Sequence, residues 1–78
     1  MLNRLKDLRE DKDMNQTNLA KILGMSQTGY SKYETGENDI PTQILVKLAI
    51  FYNTSIDYLL GLTNTKLPYP RANLSIKK

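Results

Sequence analysis

The sequence has no cysteine, no histidine and no tryptophan in 78 residues. Without a thiol or an imidazole there is no disulfide framework and no Cys/His zinc site, and the commonest nucleophile and base are missing. A reducing, cytoplasmic setting fits that composition. Long apolar runs are also missing: nothing approaches the roughly 20 residues needed to span a bilayer. The start, Met1-Leu2-Asn3-Arg4-Leu5-Lys6, lacks the apolar block of a signal peptide. Asp11 and Asp13 flank Lys12, but two carboxylates with neither a third ligand nor a glycine turn read as a solvated helix end rather than a metal site. The chain is long enough for one domain. It would bury only roughly 60–65% of its unfolded surface, which leaves no room for an enclosed substrate cavity. No enzyme, catalytic residue, cofactor, metal or small-molecule ligand is expected.

What is present is a globular mixture, 40% hydrophobic and 24% charged, with eleven basic against eight acidic residues and a net charge of +3. The distribution says more than the sum. Residues 1–13 hold four bases and four acids, and residues 34–57 carry a net −3. Residues 58–78 carry +4 from Lys66, Arg71, Lys77 and Lys78, the last two reading as a solvated terminus. Between them, residues 14–33 contain Lys21 and Lys32 and no acid at all. An acid-free stretch is what a phosphate-facing surface requires, because a carboxylate there would repel the ligand.

The apolar spacing predicts only helices. Leu2, Leu5 and Leu8 form one stripe on a helix running to about Lys12. Asn15 caps a second helix with Leu19, Ala20, Ile22 and Leu23 inward. Gly24 stops it in the left-handed conformation. Ser26 caps a third helix, whose Tyr30 and Tyr33 share an inward face, and Thr35-Gly36 ends it. Pro41 is placed at the first position of a fourth helix, with Ile44, Leu45, Leu48, Ala49 and Tyr52 inward. Ser55 caps a short fifth helix with Ile56, Leu59 and Leu60, closed by Gly61. The segment from Thr63 to Pro70 reads as extended, because Pro68 and Pro70 forbid helix. The fold class is all-α, with a domain over 1–61 and a tail over 62–78. Five tyrosines suggest a stacking platform for single strands, but Tyr30, Tyr33 and Tyr52 fall at core spacing; Tyr58 and Tyr69 are undecided.

The pattern that points to function is a helix, the turn Gly24-Met25-Ser26, and a second helix from Gln27 to Glu34. This spacing packs two short helices nearly perpendicular and leaves one side of the second uncovered. With Tyr30 and Tyr33 inward, Gln27, Thr28, Ser31 and Lys32 face out. Their donors suit base edges and phosphates, and a merely solvated face would more often carry glutamate as well.

The block from Asn15 to Glu34 resembles the phage repressor and Cro type of helix-turn-helix protein, the Xre family. A second block, from Ile40-Pro41-Thr42 through Lys47-Leu48-Ala49 to Ser55-Ile56-Asp57-Tyr58-Leu59-Leu60-Gly61, looks like the last two helices of that family. With the first helix, the resemblance covers about residues 2–61. It implies a compact five-helix, lambda-repressor-like DNA-binding domain, acting as a sequence-specific regulator and a repressor. Gln27, Thr28 and Lys32 match base-reading positions. Gln16 opens the second helix at a position that meets the DNA backbone and a base edge. Ser26 would hold a phosphate at the helix start, and Lys21, Ser31, Thr35 and Asn38 are further backbone candidates. Arg9 and Glu34 match a buried pair joining the first and third helices.

Two features depart from the family pattern. Glu37 and Asp39 stand in a loop where bases often grip phosphate. Gly29 stands where a side chain is usual, and reads either as a close approach to DNA or as a tolerated variation. A recognition helix of eight residues spans about 12 Å and reads about four base pairs, too few to specify a gene. A homodimer on an inverted repeat is therefore expected, with Tyr58, Leu62 and Leu67 at the contact. The alternative is an antitoxin-like or adaptor module that uses the same fold for assembly.

Overall fold

The computed structural model describes residues 3–70. Five helices and no strand occur among them: α1 (Leu5–Asp11), α2 (Gln16–Leu23), α3 (Gln27–Thr35), α4 (Thr42–Phe51) and α5 (Ile56–Leu59). The all-α class and the five-helix order hold. Leu2, assigned to the first apolar stripe, lies outside the described residues, as do Arg71, Lys77 and Lys78.

The boundaries follow from local chemistry. Asn15 and Asn18 form a reciprocal capping box at the start of α2, with Asn18 N donating to Asn15 Oδ1 at 2.8 Å. This satisfies donors that the first turn leaves without helical partners. Gly24 closes α2 at φ +73° while its N–H and that of Met25 return to the carbonyls of Lys21 and Ala20. A side chain would be strained in that left-handed geometry. Ser26 Oγ accepts from Gly29 N at 3.1 Å and starts α3, and Ser55 Oγ accepts from Tyr58 N at 3.0 Å and starts α5. Pro41 is one place earlier than the spacing predicted: it is the N-cap of α4, with ψ 148°, and its carbonyl receives the N–H groups of Ile44 and Leu45.

Leu5, Leu8, Leu19, Ala20, Leu23, Tyr30, Leu48, Ala49, Tyr52 and Leu59 make the core. The helices pair as α2 on α3, α1 on α3 and α4 on α5. Ile44, Leu45, Tyr33, Tyr58 and Met25 are half-buried around that centre. Ile22 is a correction: it is 52% exposed. At about 100° per residue it lies more than 90° from the middle of the face set by Leu19, Ala20 and Leu23, so it falls off the buried side. Leu60 is half-buried just beyond the end of α5.

The segment after α5 has no regular element, but it is tied down. Arg4 Nη2 donates to Thr63 O at 3.0 Å and to Asn64 Oδ1 at 2.8 Å. Thr54 Oγ1 donates to Lys66 O, and Tyr69 OH to Asp57 Oδ2 at 2.7 Å.

Candidate nucleic-acid interface

The expected pair of Arg9 and Glu34 forms, and it organises the site. Arg9 Nε donates to Glu34 Oε2 at 2.7 Å and Nη2 to Oε1 at 3.1 Å, a two-pronged contact between α1 and α3. The third guanidinium nitrogen, Nη1, donates to Met14 O at 2.8 Å and so holds the α1–α2 link. Both side chains are nearly buried, 11% and 4% exposed. Burial alone would raise the Glu34 pKa. Hydrogen bonds from Arg9 and Gln16, with the positive charge of Arg9, outweigh it and hold the carboxyl below its ordinary value, while the bond to Glu34 raises that of Arg9. Tyr30 and Tyr52 lie in the same buried region. Burial first, and then the Glu34 charge, raise both hydroxyls, that of Tyr52 to about 12.

Glu34 also connects outward. Gln16 Nε2 donates to Glu34 Oε1 at 3.0 Å, and Gln27 Nε2 donates in turn to Gln16 Oε1. Gln16 and Gln27 were singled out separately from the sequence; the structure joins them through Glu34 to Arg9. That connection was missed because two neutral amides carry no pairing signal, although a glutamine opening each helix of the motif is a sequence feature that could have raised it.

Gln27, Thr28, Lys21 and Ser26 are exposed, and Gln16, Ser31 and Lys32 are half-exposed. The sole acid of α3, Glu34, is turned inward and neutralised by Arg9. The outward side of α2 and α3 therefore presents amides, hydroxyls and two lysines. Thr35 and Asn38 stand differently. The Thr35 hydroxyl donates to Lys32 O and accepts from Glu37 N, and the Asn38 backbone N–H donates to Lys32 O. Both groups help end α3. The Asn38 side chain stands beside a shallow groove with Asn3, Asp39, Ile40 and Leu45.

At Gly29 the space for a side chain is tight, and two neighbours would have to give by a few tenths of an ångström. A Cβ there would come within 3.1 Å of Ser26 Oγ and 3.2 Å of Met25 Cε, crowding the hydroxyl that caps the helix.

The expected dimer residues divide. Leu62 and Leu67 are 70% and 76% exposed. Tyr58 is half-buried beneath the Arg4 guanidinium, 4.2 Å from its ring centre. Arg4, Thr54 and Asp57, which hold the segment after α5, were not singled out from the sequence. Their partners are mostly carbonyls and an amide, which no residue pattern announces.

A family model described as Helix-turn-helix matches residues 5–59, the span of all five helices. The chain belongs to the Xre-type helix-turn-helix family. Its relatives include the uncharacterized HTH-type transcriptional regulator YobD of Bacillus subtilis, 37% identical over 65 residues, 83% of this chain and 58% of that protein. The HTH-type transcriptional regulator ImmR of the same organism is 40% identical over 58 residues, 74% of this chain and 46% of the relative. The cryptic phage CTXphi transcriptional repressor RstR of Vibrio cholerae is 31% identical over 64 residues, 82% of this chain and 58% of the relative. The chain thus spans about half to three-fifths of the length of these relatives. No solved structure matches it significantly. No helix among the described residues is long and apolar enough to cross a membrane.

Proposed function

We propose that this helix-turn-helix chain is a sequence-specific, double-stranded DNA-binding transcriptional regulator, acting as a repressor and reading the major groove with α3. The observation that carries the reading is the outward side of α2 and α3, where donors and two lysines are displayed and the one carboxylate of α3 is withdrawn into the pair with Arg9. Such a side can approach phosphates without like-charge repulsion. The names of ImmR and RstR support it. Gln27, Thr28 and Lys32 read base edges. Gln16, Lys21, Ser26 and Ser31 position the backbone, with Thr35 and Asn38 at the far end of α3. Residues 1–61 form the binding domain and 62–78 the tail, and the setting is the cytoplasm, where bacterial DNA lies. No catalytic chemistry is assigned.

The working unit is a homodimer on an inverted repeat, closed through Leu62 and Leu67, with half-buried Tyr58 beside them. Recognition helices about 34 Å apart place half-site centres about 10 base pairs apart. The test is selection of bound sequences from random duplexes, followed by footprinting. Lys21→Ala should weaken binding to all sequences alike and flatten the salt dependence. Gln27→Ala should cost about 1–3 kcal/mol on the selected site and little elsewhere. Equal weakening of selected and random DNA by Gln27→Ala would refute the base-reading role. A footprint on a single half-site, with one protein per duplex at saturation, would refute the dimer.

A further inference from the structure

The hydrogen bonds that link Arg9 to Gln27 run in one direction, and the buried charge dictates that direction. An ionised carboxylate has no proton to give, and a guanidinium has no acceptor. Glu34 therefore accepts from Arg9 through both of its oxygens and can only accept from any other neighbour, so a facing amide must present its N–H. Gln16 must turn its Nε2 toward Glu34 Oε1, 3.0 Å away. That leaves the carbonyl oxygen of Gln16 facing α3, where it too can only accept. Gln27 meets it with Nε2. The exposed remainder of the Gln27 amide is then one acceptor, Oε1, and one remaining proton on Nε2.

We propose that Glu34, which lies beneath the reading surface, is a positioning residue that fixes the polarity of the Gln27 amide and hence the base edge it accepts. This rests on the reading of α3 as the DNA-reading helix. In the major groove, adenine offers an acceptor at N7 beside a donor at N6, which matches the one proton and one oxygen left on Gln27. Guanine offers two acceptors, N7 and O6, and would need two protons where one is already engaged by Gln16. The carboxylate thus selects adenine over guanine at the base pair facing Gln27 without touching DNA.

The test replaces Glu34 by glutamine. Its amide can present either oxygen or nitrogen to Gln16, so the direction of the chain is lost while its shape is kept. Binding is measured by competition with operators carrying each of the four base pairs at every position. For Glu34→Gln, the preference for adenine over guanine at one position should fall about tenfold, with the other positions within about twofold. Gln16→Met cuts the chain at its middle and leaves both Arg9–Glu34 hydrogen bonds in place. It should produce the same single-position loss of preference on top of a uniform weakening from its lost backbone contact. The double variant Arg9→Met/Glu34→Gln, which strands no charge, carries the test of Glu34 should Glu34→Gln fail to fold. Unchanged preference at that position in a folded variant, or an equal loss at every position, overturns the proposal. Gln27→Ala is run in parallel. A preference lost in Gln27→Ala but kept in the other two variants overturns the positioning role alone. A preference that survives Gln27→Ala as well overturns the base-reading assignment beneath it.

Discussion

Arg4 and Arg9 bracket α1, and their partners differ in kind. Arg9 meets a full opposite charge, buried and gripped at two points, and the pair joins α1 to α3. Arg4, the N-cap of the same helix, meets a carbonyl, an amide oxygen and the face of Tyr58, and these hold the segment after α5. The first arrangement stabilises strongly only when complete, because either partner left alone is a stranded charge. The second is a set of weaker contacts at a wetter site, each replaceable by water at modest cost. Two residues of one type, five positions apart, thus hold the packing of α1 on α3 and the segment that follows α5.

The comparison breaks most visibly at Arg9. Arg9→Ala leaves Glu34 buried without its partner and should cost about 3–5 kcal/mol, a large share of what a domain of this size has to spare. Chemical denaturation measures it; a melting temperature equal to wild type would show that the pair is not what joins the helices.

Acid should separate the two arginines next. Glu34 is held below its ordinary value of 4.5 in the folded state. Its stabilising contribution is therefore complete above the unfolded value and is lost as pH falls through the lower folded one. Melting curves between pH 7 and pH 3 should show a loss below about pH 4.5, with a shallower slope in Glu34→Gln. The Thr63 carbonyl and the Asn64 amide that Arg4 holds carry no titratable proton, so that tie should persist in whatever fraction remains folded.

Arg4→Ala should cost about 1–2 kcal/mol from its hydrogen bonds and the ring contact. The larger change should appear in amide exchange: faster at residues 62–66, unchanged across α2 and α3. Equal acceleration in both regions would mean that Arg4 belongs to the same cooperative unit as Arg9. The smallest effect is expected for Tyr69→Phe, which removes an exposed hydrogen bond to Asp57. Its melting temperature should match wild type, with any difference confined to the exchange of residues near 69.

The same contrast shows what the sequence made legible. Helix limits were readable where one residue decides them: Asn15, Gly24, Ser26 and Ser55 each act through their own side chain or lack of one. The Arg9–Glu34 pair was readable because the two positions match a family pattern. Ile22 was misplaced because an apolar residue at the edge of a helical face is not distinguished by type from one at its centre. The ties of Arg4 and Thr54 were invisible because backbone carbonyls are offered by every residue. The link from Gln16 to Gln27 lay between: both residues were selected, but their joint orientation depends on a buried charge whose position only the fold supplies.

The tied segment also changes how distance along the chain should be counted. Nine unattached residues from 62 to 70 could carry their far end about 30 Å from α5, sweeping a wide volume. With Leu62 N held by Asp57 O, Thr63 and Asn64 by Arg4, Lys66 by Thr54 and Tyr69 by Asp57, that reach is folded back onto its own origin. Tyr69 ends on the residue from which Leu62 departs. The leash is effectively spent before position 70, so the chain leaves this segment from the flank of α5.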